Sequence, residues 1–181
     1  MIKFLDILKE SDDNIFIPRG SKEEKDKILI RRTNDKIQEY IRNGSEGNLV
    51  LMSSPIKVLP KNLTKVGGKL ILMYSQIEKL PDNLRVNKNL DLEGCKNLKS
   101  LPDNLIVNGY LDLEKCKNLE SLPNGLKVKN FLDIRDTNIT SLPSDLEVGG
   151  DLILLRTPIA DMYTKEQIRY MVPGLKGGIL L

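Results

Sequence analysis

The chain has 181 residues, with 28 Lys and Arg against 25 Asp and Glu, and contains neither histidine nor tryptophan. This length suits one domain, and a net charge of +3 is too small to indicate a nucleic-acid partner by itself. The absence of histidine excludes Ser–His and Cys–His nucleophile pairs and most metal sites, so we expect no catalytic residues, metal or cofactor. No apolar run reaches the length of a membrane span or a secretory signal, which predicts a soluble, cytoplasmic protein.

Residues 1–46 are predicted to form a helical N-terminal cap. Residues 2–9 place their apolar side chains on one helical face, and Ser21 followed by Glu24 predicts a capping box at the start of a charged helix. Thr33 or Asn34 offers a second helix start, and an apolar stripe follows at Ile37, Tyr40 and Ile41. These helices are expected to cover the edge of the first strand, which would otherwise be open to aggregation.

The same segment carries the basic residues of an alternative function. They are Lys25, Lys27, Arg31, Arg32 and Lys36. A nucleic-acid-binding patch is one interpretation of this cluster, and a solvated helix face is the other. The ten Lys and Arg of residues 1–46 are matched by ten Asp and Glu, so a nucleic-acid partner is not favoured.

Residues 47–160 follow a repeat of about 21 residues. Residues 90–110 and 111–131 share the skeleton L-x-L-x-x-C-x-x-L-x-x-L-P-x-x-L-x-V. The first leucine of this skeleton recurs at Leu49, Leu70, Leu90, Leu111, Leu132 and Leu152, and the Leu-Pro step recurs at Pro60, Pro81, Pro102, Pro123 and Pro143. A leucine-rich period of this length predicts a solenoid, because no unit can bury its apolar side chains without a neighbour.

Each unit predicts one short strand. The L-x-L segment alternates apolar and polar residues, as expected for a strand with one buried face. A small residue then turns inward, and its hydroxyl or thiol can satisfy loop backbone groups: Ser54, Ser75, Cys95, Cys116, Thr137 and Thr157. Cys95 and Cys116 are therefore expected to be buried and reduced. Proline fixes φ and cannot donate a hydrogen bond, so we expect an extended or 3₁₀-like convex side.

Residues 161–181 are predicted to form a C-terminal cap. Thr164 and Gln167 form a second capping-box pair, which predicts a short helix that runs to Met171. Pro173 ends this helix, and the last five residues, GGILL, predict a packed terminal strand or plug.

The predicted concave face is formed by the residues that alternate with the buried leucines. Its centre is an acidic block with an aromatic border, which we predict to be the protein-binding site: Asp91, Glu93, Tyr110, Asp112, Glu114, Phe131, Asp133 and Arg135. Apolar pairs flank it at residues 50 and 52, 71 and 73, and 153 and 155. These residues could instead serve only solubility and cap packing, but like charges on adjacent strands repel. The pattern therefore indicates recognition of a basic protein surface.

The units resemble the bacterial leucine-rich repeat class with Leu-Pro steps, found in secreted bacterial effectors. Three features are more similar to short leucine-rich repeat proteins encoded by tailed bacteriophages. They are the short length, the segment IRNG before the repeats at residues 41–44, and the segment YTKEQI after them at residues 163–168. This resemblance implies an α/β leucine-rich repeat solenoid with about six short parallel strands on its concave face. Ser, Cys or Thr stands where many such repeats have Asn, and nothing here corresponds to the ubiquitin-ligase domain of some effectors.

The expected function is non-enzymatic protein binding. The resemblance implies a phage regulator or inhibitor that acts on a host bacterial protein, in the cytoplasm of a bacterium or a phage-infected cell, and a monomer is favoured. Two alternatives stay open: nucleic-acid binding through the N-terminal helices, and a structural or assembly role in the virion.

Overall fold

Two parallel sheets run the length of a solenoid of about five turns. The computed structural model describes residues 20–181. The first sheet contains β1 (Leu49–Val50), β3 (Leu70–Ile71), β5 (Leu90–Asp91), β7 (Leu111–Asp112), β9 (Leu132–Asp133), β11 (Leu152–Ile153) and β12 (Ile179–Leu180) in that spatial order. The second contains β2 (Lys65–Val66), β4 (Arg85–Val86), β6 (Ile106–Val107), β8 (Lys127–Val128) and β10 (Glu147–Val148).

All six marker leucines begin strands of the seven-stranded sheet. Leu90 and Leu92 are fully buried, whereas the intervening Asp91 is only partly buried, as the alternation predicts. Each coil donates backbone hydrogen bonds to the next one. The Leu90 N–H donates to the Tyr110 carbonyl and the Leu92 N–H to the Asp112 carbonyl, both at 2.9 Å. The strands are short because only two residues per coil keep the regular ladder before the chain turns.

The convex side of the solenoid, opposite the seven-stranded sheet, is more regular than predicted. It is extended, but it forms a five-stranded sheet, and the described residues contain no 3₁₀ helix beyond single turns such as the hydrogen bond from the Leu63 N–H to the Pro60 carbonyl at 3.0 Å. After the Leu-Pro step, Asn83 and Asn104 take positive φ values of 59° and 57° and turn the chain into β4 and β6. Stacked coils then pair their backbones, as when the Lys127 N–H donates to the Leu105 carbonyl at 3.0 Å.

The small residues of the repeat line the interior as predicted. All six are buried. The Cys95 thiol donates to the Leu72 carbonyl at 3.1 Å, the Cys116 thiol to the Leu92 carbonyl at 3.2 Å, and the Thr137 hydroxyl to the Ile134 carbonyl at 2.7 Å. Both cysteines are free thiols. A side chain that is small and can donate therefore fits this position whether it is Ser, Thr or Cys.

One continuous helix, α1 (Lys22–Arg42), packs beside the first coil. The capping box predicted at Ser21 and Glu24 is confirmed. The second start expected at Thr33 or Asn34 is wrong, because Thr33 is buried in the helix and its hydroxyl lies 3.3 Å from that of Ser54. Ile37 is fully buried in the core. The helix predicted for residues 2–9 lies outside the described residues.

Two helices, α2 (Pro158–Met162) and α3 (Lys165–Met171), precede the last strand. The capping box of Thr164 and Gln167 is confirmed. Helix α2 was not predicted, because Thr157 serves both as a buried small residue and as the N-cap, accepting from the Ala160 N–H at 3.3 Å. The terminal segment pairs with β11 as β12. Among residues 20–181, none of the helices has the length and apolar content that a bilayer span requires.

Candidate functional site

The exposed side of the seven-stranded sheet, called the strand face below, carries the predicted site. The strand pairing aligns one residue from each strand in a single row: Val50, Ile71, Asp91, Asp112, Asp133, Ile153 and Leu180. Three aspartates therefore lie side by side on adjacent strands, with two apolar residues at each end of the row. In-register neighbours in a sheet are the pairs whose side chains interact.

The aspartates also shape the loops that follow their strands. The carboxylates of Asp91, Asp112 and Asp133 each accept a hydrogen bond from the backbone N–H two residues later, at 3.2, 2.9 and 3.0 Å respectively. These bonds fix the side chains against the sheet, so the row is a preformed surface with defined carboxylate positions.

Two basic side chains form ion pairs with three of the five acidic residues. Lys115 contacts Glu93 at 3.0 Å and Glu114 at 2.7 Å between Nζ and the carboxylate oxygens. Arg135 bridges Glu114 at 2.7 Å and Asp133 at 2.6 Å. Asp133 is almost completely buried, so its pairing with the planar guanidinium offsets the cost of removing its charge from water.

Asp91 and Asp112 form no ion pair with any of the described residues, unlike their neighbours. The pKa of Asp112 is raised from 3.8 to about 6, mainly by burial and also by the negative charges of Asp133 and Asp91, whereas the hydrogen bond from the Glu114 backbone opposes this rise. Burial and the Glu93 charge likewise raise the pKa of Asp91. The free energy of both carboxylates would fall if a cation were brought to them.

The pKa of Glu93 is shifted in the opposite direction from those of Asp91 and Asp112. Burial opposes its ionisation, but hydrogen bonds from the Tyr74 hydroxyl and from Lys115 outweigh this effect and lower its pKa. The sequence suggested an acidic block in which like charges on adjacent strands repel. The structure instead shows an ion-pair network in which Lys115 and Arg135 contact Glu93, Glu114 and Asp133, with the unpaired Asp91 and Asp112 beside it.

An aromatic pair borders the unpaired aspartates. Tyr110 and Phe131 precede β7 and β9 and stack at 4.8 Å between ring centroids, with an interplanar angle of 12°. Both are partly exposed. Burial and the charges of Asp91 and Asp112 raise the pKa of Tyr110. The predicted border is therefore a single stacked surface, which offers a partner rigid apolar area with one polar tip.

The sequence prediction missed Tyr74 and Lys115. Both occupy the second position of the turn that follows the strand, where the backbone φ is positive in successive coils: Ser53, Tyr74, Gly94, Lys115, Asp136 and Arg156. These side chains lie beside the second row of the strand face, which is formed by the residues two positions after the members of the first row. Comparing this position across the repeats would have found them, since it changes from aromatic to glycine to charged.

Gly94 makes room for Tyr74. A Cβ at Gly94 would lie 2.4 Å from the Tyr74 ring, which crosses this position to reach Glu93. The positive φ of 68° alone does not require glycine, because Lys115 adopts a φ of 63° at the equivalent position. The close approach of the ring is thus the specific reason for glycine here.

Three of the basic residues of α1 contact other described residues, two of them within the helix itself. Lys27 pairs with Glu23 at 2.9 Å, Arg31 lies 4.0 Å from Asp35, and the Lys36 ammonium donates to the Val50 carbonyl at 3.2 Å. The first two pairs are exposed and stabilise the helix only slightly. Nucleic-acid binding by this segment stays a prediction.

No protein-family model matches the chain, and no curated protein shows significant sequence similarity to it.

Proposed function

We propose that this chain is a non-enzymatic leucine-rich repeat protein that binds a partner protein through the strand face. The observation that carries the proposal is the pair Asp91 and Asp112, which lack a cationic partner among the described residues and lie beside the Tyr110–Phe131 stack. A Lys or Arg side chain from a partner would compensate both carboxylates, and its aliphatic stem would pack on the aromatic surface.

The charge distribution supports a basic partner. Five acidic and two basic residues line the centre of the strand face, although the chain as a whole has a net charge of +3. A basic protein with a locally acidic surface can orient an oppositely charged partner during encounter, and this attraction weakens as salt is added. Aromatic side chains next to such charges are typical of residues that dominate binding energy.

The resemblance to short phage-encoded repeat proteins suggests the setting. We propose that the partner is a bacterial host protein and that binding covers a basic functional surface on it, so that the chain acts as a regulator or inhibitor in the infected cell. Solenoids suit this role because they present an extended surface made of repeated, independently variable positions.

A capture experiment with matched variants tests the proposal. In D91N/D112N each Asn keeps an acceptor for the backbone N–H, so the double variant removes two charges from the strand face without removing those hydrogen bonds. The control D103N/E120Q removes two charges from exposed residues that lie outside the strand face. Each tagged protein is incubated with bacterial lysate, both untreated and nuclease-treated, at low and high salt.

The proposal predicts that wild type and D103N/E120Q retain the same partner and that D91N/D112N loses it. Equal capture by all three proteins would overturn the strand face as the binding site. Loss of capture only after nuclease treatment would instead indicate nucleic-acid binding. A homogeneous high-order assembly of the pure protein by mass photometry would indicate a structural role in the virion.

A further inference from the structure

The strand face has a symmetric pattern that the acidic centre alone does not explain. Two apolar residues stand at each end of the in-register row, Val50 and Ile71 at one end and Ile153 and Leu180 at the other. Val50 is 38% exposed and Leu180 is 42% exposed, and the other two are partly exposed. The flanking apolar residues are therefore not fully covered by the helices at the two ends of the solenoid.

The second row of the strand face widens both apolar ends. Met52 and Met73 lie two residues after Val50 and Ile71, and Leu155 lies two residues after Ile153; all three are partly exposed. Methionine side chains are flexible and adapt to irregular apolar surfaces. Exposed apolar side chains grouped in this way indicate an interaction surface, whereas isolated ones would not.

From this arrangement we infer that the partner presents an α-helix whose binding stripe is apolar at both ends and basic in the middle. The inference rests on the proposed function and specifies the chemistry of its partner. The apolar ends of the partner helix would pack on the two exposed apolar groups of the strand face, and its Lys or Arg residues would form ion pairs with Asp91 and Asp112.

The spacing of parallel strands sets the length of this helix. Adjacent strands lie about 4.8 Å apart, so the seven-strand row spans roughly 29 Å and the centres of its apolar ends are roughly 24 Å apart. A helix rises about 1.5 Å per residue, which places the two apolar anchors about 16 residues apart. The basic residues would fall within the middle two or three turns.

A helix fits this surface better than an extended segment. The backbones of the inner strands are fully used in the ladder between coils, as the pairing on both sides of β5, β7 and β9 shows. An extended segment crossing the row would find no backbone partners and would bury unpaired N–H and C=O groups. A helix satisfies its own backbone and presents side chains at i, i+3, i+4 and i+7 along one stripe.

Three alanine-based helical peptides of about 20 residues provide the probe, since this length supports a helix in water. The first carries a Leu pair, then Lys and Arg, then a Leu pair along one stripe. The second has the same composition with the basic residues at the ends and Leu in the middle. The third has only Lys and Arg on the stripe. Fluorescence anisotropy measures the binding of each peptide to the full chain.

We expect the first peptide to bind at least about tenfold more tightly than the second or the third. I71T and I153T, at opposite ends of the row, should each weaken the first peptide severalfold and leave the third unchanged. D91N/D112N should weaken both the first and the third. Circular dichroism melts of the variants establish that each is folded before its binding is compared.

Equal affinity for the first and second peptides, or no binding by any peptide up to millimolar concentration, would overturn the inference. If the third peptide binds as tightly as the first and is sensitive to D91N/D112N, the electrostatic site stands but the apolar anchors do not. If no peptide responds to D91N/D112N, the proposed binding face fails as well. A dimer that D91N/D112N abolishes would assign a second copy of this chain as the occupant.

Discussion

Replacing Asp112 by Asn should stabilise the protein at neutral pH. The pKa of Asp112 is raised from 3.8 to about 6, so the folded protein binds this proton more tightly than the unfolded chain does. The associated stability is present below pH 3.8 and is lost as the pH rises through about 6. Asn keeps the acceptor for the Glu114 N–H, which lies 2.9 Å from the Asp112 carboxylate, and carries no charge.

The size of the pKa shift of Asp112 sets the stabilisation expected from D112N. A difference of about two pKa units corresponds to roughly 3 kcal/mol at most, and solvent screening of a partly exposed carboxylate reduces this to about 1–2 kcal/mol. The benefit should fall to about a third of its neutral value near pH 4.5, because Asp112 is then almost fully protonated in the folded protein and the pH lies only slightly above the pKa of the unfolded chain.

Urea unfolding followed by far-UV circular dichroism measures these free energies at about pH 4.5 and about pH 7.5. The control D103N, on an exposed side chain outside the strand face, should change stability by no more than a few tenths of a kcal/mol at either pH. A D112N protein that is less stable than wild type at neutral pH, or a gain that does not shrink on acidification, would refute the argument that Asp112 is ionised at a cost.

Three further outcomes follow from the packing. G94A should destabilise the protein by about 1–3 kcal/mol because its Cβ meets the Tyr74 ring, and Y74A/G94A should recover part of this loss; urea unfolding that shows no recovery would contradict the clash. Cys95 and Cys116 are buried, and burial raises the pKa of both thiols. Ellman's reagent should therefore label them slowly in the native protein and quickly in urea, and fast labelling of the native protein would exclude this packing. Y40F should lower the free energy of unfolding by about 1–2 kcal/mol, because the Tyr40 hydroxyl contacts three backbone groups near the end of α1. An unchanged melting curve would show that these hydrogen bonds are dispensable.

The sequence predicted the repeating backbone well, because the same residues recur with the same chemistry. The marker leucines begin the strands, and the small buried residues, both capping boxes and the terminal strand lie where the pattern places them. These features depend on local spacing and on burial, which leave a direct signal in the sequence.

Contacts between coils were harder to predict. The Lys115 ammonium reaches both Glu93 and Glu114, and Tyr74 crosses Gly94, because turn residues with positive φ direct their side chains over the neighbouring coil. The second sheet was missed for a similar reason, since its hydrogen bonds form between coils. No local propensity encodes such pairings, which arise only when the units stack.

The shared skeleton of residues 90–110 and 111–131, which are identical at 13 of 21 positions, gives the strand face an adjustable length. The two units pair in register and use the same turns, so a third copy inserted between them would stack without any new backbone geometry. Such an insertion would add one aspartate to the row and move its apolar ends about 4.8 Å further apart. Duplication of a single unit would therefore lengthen the strand face by one coil in one genetic step.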